Sequence, residues 1–166
     1  MLIDLHRILI DGAIYSLIAS LFVVISLWAA PRMWLHDYPQ DIQEMVPPKT
    51  NKEKQLSLII GIPFLILLFA GPFLSALIFK LQAMLATSFF SLFIHAFAVG
   101  ICFNLVDWLI LDWLMFCTLT PEFLVISGTK GAKGYKNYAF HFRGFLIGTA
   151  ISVAAALIIA GLLFIL

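Results

Sequence analysis

Asp107, Asp112, Glu122 and His141 are the residues best suited by type to acid–base chemistry, and His36 and Asp37 from an earlier segment belong near the same boundary. Carboxyl and imidazole groups act as general acids, bases or ligands once burial and neighbours tune them. No ligand spacing such as His-Glu-x-x-His occurs, so no metal site is expected, and ion pairing within the fold would account for the same residues. On an α-helix Asp107 and Asp112 point about 140° apart, which argues against a facing carboxylate pair. Asn104 shares a face with Asp107 three residues on, and His141 or Arg143 is the natural partner of that carboxylate.

A basic cluster follows. Residues 128–136 read Gly-Thr-Lys-Gly-Ala-Lys-Gly-Tyr-Lys, with Lys130, Lys133 and Lys136 evenly spaced. This is not a phosphate-binding Walker loop, because no Gly-Lys-Ser/Thr is present. Near an acidic leaflet each lysine is worth ~1 kcal/mol. With His141 and Arg143 the loop is therefore expected to meet an anionic lipid headgroup, a small ligand or a protein partner. The plainer reading is that these lysines only fix topology.

Two polar residues fall deep in an apolar helix, His95 and Asn104. Ionisable groups at such depth are expensive, so His95 is a candidate proton relay, although a hydrogen bond to a neighbouring helix explains it as well. Asp4, Arg7 and Asp11 share one helix face at spacings of three and four and read as a self-neutralising ladder at the outer surface.

The elements that must position these groups follow from composition. Hydrophobic residues make up 63% of the chain and charged residues 11%, too few to cover the apolar surface against water. Four apolar stretches, about 8–30, 56–79, 81–106 extending to about 117, and 144–166, match the ~20 residues a membrane crossing needs. The predicted fold is an all-α integral membrane protein, a single four-transmembrane-helix bundle. The second and third helices form a tight turn at Lys80, and Pro63 and Pro72 should kink the second.

Segments 31–55 and 118–143 then lie on one side and carry eight basic residues, against only Arg7 and Lys80 on the other. That asymmetry predicts both segments cytoplasmic and both termini outside. Within them, residues 37–46 suggest a short interfacial helix, and alternation of Tyr138, Phe140 and Phe142 with Ala139, His141 and Arg143 suggests a small hairpin. The apolar start is too long for a signal peptide and is expected to stay as an anchor in a plasma membrane, fitting a bacterial one.

Gly144, Gly148, Ser152, Ala156 and Ala160 recur every four residues, a stripe that suits close helix packing within the chain or a homo-oligomer seam. Cys102 and Cys117 are ~22 Å apart on one helix and cannot bridge each other. A net charge of +1 gives no field for nucleic acid, and no cofactor fingerprint appears. Three functions remain: a non-enzymatic bundle binding an anionic lipid, ligand or partner; an enzyme acting on an amphiphile at the inner interface; and a small transporter lined by His95. The first is preferred.

Overall fold

The computed structural model describes residues 4–83 and 87–166. Four helices are long and apolar enough to cross a membrane. They are α1 (Leu5–Ala29), α3 (Asn51–Gln82), α4 (Phe89–Val106) with a direct continuation over Asp107–Leu119, and α5 (Tyr138–Ile165). A short helix α2 (Gln40–Glu44), a seven-residue 3₁₀ helix at Pro31–Asp37 and short 3₁₀ turns at Glu122–Leu124 and Lys133–Lys136 complete the described residues. In the middle stands α4, packed against α1, α3 and α5.

Helix ends extend past the apolar runs because polar residues cap them. Thr50 and Glu53 form a reciprocal capping box, so α3 begins at Asn51 and not near residue 56. At its other end α3 runs through Lys80, whose ammonium reaches the Leu163 carbonyl, 2.6 Å away, near the end of α5. The turn expected at Lys80 is thus displaced; residues 84–86 lie outside the described residues, and Ser88 caps α4.

The small hairpin is not formed: no strand occurs among the described residues, and Tyr138 to Arg143 are the first turns of α5. Asn137 accepts from the Phe140 amide and starts that helix, and the uninterrupted apolar sequence beyond carries it on. Ahead of it the loop is pinned from within. Tyr38 donates to the Leu124 carbonyl at 2.9 Å, and the Gly134 amide donates to Asp41 at 2.7 Å. Gly128 and Gly131 take the left-handed backbone (φ 89 at each) that lets this segment fold tightly.

The kink prolines have identifiable consequences. Pro72 lacks the N–H that would bond the Leu68 carbonyl, and the Tyr15 hydroxyl from α1 donates to that carbonyl at 3.2 Å. Its ring lies where a side chain on Gly71 would have to go. Most of the small-residue stripe on α5 is consumed inside the chain. A methyl on Gly148 would run into Asn104, Gly100 faces Ser152, and Ala156 and Ala160 are buried. Gly144 has open space beside it.

Candidate functional site

Between the four long helices lies a cavity of about 790 Å³. Much of its wall is apolar, including Phe64, Leu68, Phe103 and Ile151, with Asn104 part of the way along. At one end His36, Asp37, Asp107, Asp112, His141 and Arg143 face it together. Residues far apart in sequence therefore meet at one polar head.

That meeting depends on the backbone of residues 107–119. Here the chain is a π-helix, in which residue i bonds to i+5; the Thr120 amide accordingly donates to the Met115 carbonyl at 2.8 Å. Residues five apart are brought round to nearly the same face. Asp107 and Asp112 both line the cavity, and Trp108 and Trp113 meet edge to face at 4.8 Å. The divergence expected from α-helical geometry is thereby overturned. π-Helical turns are rare and concentrate at functional sites.

Asp112 pairs with His141 across to α5, Oδ1 to Nδ1 at 2.9 Å. His141 is 5% exposed, wedged beside Phe116, and its other nitrogen, Nε2, has no hydrogen-bond partner among the described residues. An aspartate at Nδ1 fixes that nitrogen as the donor and leaves Nε2 as the lone-pair nitrogen whenever the ring is neutral. The pair is thus arranged as an oriented base at the cavity wall. Asp37 stands at the mouth, its carboxyl raised chiefly by desolvation, lowered in turn by Lys49 and His36 and raised again by Asp112. Lys49 is itself buried, donating to Ser57 at 3.0 Å and to the Met33 carbonyl, and burial lowers its ammonium.

The remaining sequence candidates separate from this head. Glu122 lies with Lys130 and Lys133 around a shallow groove of about 480 Å³ on the loop. Lys136 is engaged by the Cys117 and Thr118 carbonyls and the Thr120 hydroxyl, so it caps the end of the π-helix. Asn104 bridges α4 to α5, donating to the Phe145 carbonyl and Thr149 hydroxyl at 3.0 Å each. Among the described residues no group of three or more His, Cys, Asp or Glu is placed to hold a metal ion.

At the far end of the bundle His95 is 2% exposed and stacked on Phe79 at 4.6 Å. Its Nε2 lies 2.8 Å from the Ser75 hydroxyl, which donates to Asp11 at 2.6 Å; Asp11 also accepts from Arg7 at 3.2 Å. Of the ladder read from Asp4, Arg7 and Asp11, Asp11 is therefore directed inward. Ser75 carried no sequence signal, because a lone serine in an apolar helix reads as packing. Compared with known proteins, the chain matches no family model, no curated protein sequence and no solved structure.

Proposed function

We propose that this is a multi-pass plasma-membrane protein that draws one amphiphile into its cavity and acts on the headgroup with His141 as general base. The observation that carries this reading is the Asp112–His141 pair, with Nε2 free, at the polar end of a largely apolar cavity. An apolar tail would lie along Phe64 and Ile151, and the headgroup would meet His141. Cavities of some hundreds of Å³ with a few convergent polar groups are the usual form of small-molecule sites.

In this reading Nε2 takes a proton from a headgroup hydroxyl or from an attacking water, and Asp112 stabilises the imidazolium that forms. Asp107 is the second carboxyl within reach of the same head, and Arg143 at the mouth suits an anionic neighbour of the reacting group. Eight of the ten basic residues flank this end, which supports placing it on the cytoplasmic side with both termini outside. A binding-only reading has its own support in Lys130 and Lys133, exposed beside the loop groove where anionic headgroups would gather.

Native mass spectrometry of the protein from gently extracted membranes tests both. Wild type should retain one discrete amphiphile, and His141→Gln a chemically different, unreacted one. The same amphiphile in both would favour binding without catalysis. Only bulk lipid in wild type would remove the cavity reading.

A further inference from the structure

The second buried histidine supports a separate activity. Asp11, Ser75 and His95 come from α1, α3 and α4, and their two short contacts form one continuous hydrogen-bonded line. Because the serine hydroxyl gives its proton to Asp11, it must accept from Nε2–H of His95. The lone-pair nitrogen of the neutral ring is then Nδ1, which is buried and without a hydrogen-bond partner among the described residues. The outer end is reachable, since the Asp11 side chain is 25% exposed beside Arg7.

The cavity approaches this line from the other side. Its wall includes Ala96, the residue after His95, and Pro72, one turn before Ser75 on α3. Beyond them Ser152, Asn104 and Asp107 continue as polar lining toward the mouth at Asp37 and Arg143. Polar groups thus stand on the cavity wall at Ser152, Asn104 and Asp107 and, behind Ala96, on the line from His95 to Asp11.

We infer that His95, Ser75 and Asp11 are a proton relay joining the cavity to the opposite end of the bundle, so that the chain conducts protons across a membrane. A hydronium in the cavity gives its proton to His95 Nδ1 and becomes water. The Nε2 proton moves to Ser75 Oγ as the hydroxyl's own proton moves to Asp11. Asp11 then releases a proton to water, and the ring and hydroxyl reorient to restore the starting arrangement. One proton is transferred and no electrons move. Arg7 holds Asp11 in place, and Asp4 and Arg7 are the other charged groups of α1 at that end.

The full chain would be reconstituted in phosphatidylcholine–phosphatidylglycerol vesicles enclosing a pH-sensitive dye, with potassium and valinomycin to dissipate the membrane potential. Wild type should carry protons faster than protein-free vesicles after an acid jump. His95→Gln and Ser75→Ala should fall to the protein-free rate, and Ser75→Thr, which keeps the hydroxyl, should retain flux. Thermal unfolding of each variant confirms that it is folded. Wild-type flux at the protein-free rate, or undiminished flux in folded His95→Gln and Ser75→Ala, overturns the relay. No amphiphile is required in the cavity, so this outcome is independent of the retention measured by mass spectrometry.

Discussion

The two ends of the bundle each bury a histidine tied by one nitrogen to an acidic partner, yet they differ in what surrounds the free nitrogen. His141 borders a cavity of about 790 Å³ and is held by a direct carboxylate contact. His95 stacks on Phe79, which belongs to a buried cluster with Leu92, Ala160 and Leu163, and reaches its aspartate only through Ser75. A hollow site can admit a ligand, whereas a packed one can pass nothing larger than a proton. The two chemistries proposed for the same side chain rest on that difference in packing.

The most forceful way to break this comparison is to remove equal volumes from the two ends. Leu92 is fully buried beside His95, and Leu92→Ala should lower stability by about 2–5 kcal/mol, because the lost contacts leave a void in a filled region. Leu68 already borders empty space, so Leu68→Ala should cost less than about 2 kcal/mol. Denaturation of both variants in the same detergent measures the difference. Equal losses would mean that the two ends are packed alike.

How far sequence alone reached also differs between the ends. The four apolar helices, the basic asymmetry, and the isolation of His95 and Asn104 all follow from hydropathy and charge, which act locally along a chain. Helix starts at Asn51 and Tyr138 were hidden because a cap places polar residues inside the helix. The Thr50–Glu53 box was nonetheless present as a Thr-x-x-Glu signal. Alternating Tyr138, Phe140 and Phe142 mimicked a strand where an N-cap at Asn137 dictated a helix. Ser75 and Asp11 are 64 residues apart, so nothing local joins them to His95.

The π-helix is the harder lesson, because it changes which residues face one another without changing the sequence pattern. It offers a second, smaller test of the hollow end. With residues five apart sharing a face, Asp107→Asn and Asp112→Asn should couple in a double-mutant cycle by about 0.5–3 kcal/mol of stability at neutral pH. An α-helix would separate the two carboxylates, and the effects would add to within about 0.5 kcal/mol. Additive effects would therefore restore the α-helical reading and remove Asp107 from the proposed head.

The smallest expected effect concerns Asp37 at the cavity mouth, where acid–base behaviour can be followed outside the four long apolar helices. Its carboxyl is raised above the ordinary value, first by desolvation and with Asp112 adding to it. Between the ordinary carboxylate value and the raised one, the folded protein binds more protons than the unfolded chain. Stability contributed by this group is therefore present at the acidic side and is lost as pH rises through that window. Asp37→Asn cannot ionise, so its stability relative to wild type should rise across the window and level off above it. Because part of Asp37 stays open to solvent at the mouth, screening keeps the gain within about 0.5 kcal/mol. Thermal midpoints of the two proteins, measured from acid to neutral pH in one detergent, give the sign directly. A difference that stays flat across the window would show that neither desolvation nor Asp112 raises the carboxyl at the mouth. The cavity would then be polar at its deep wall alone, and Asp37 would drop out of the group that meets a ligand.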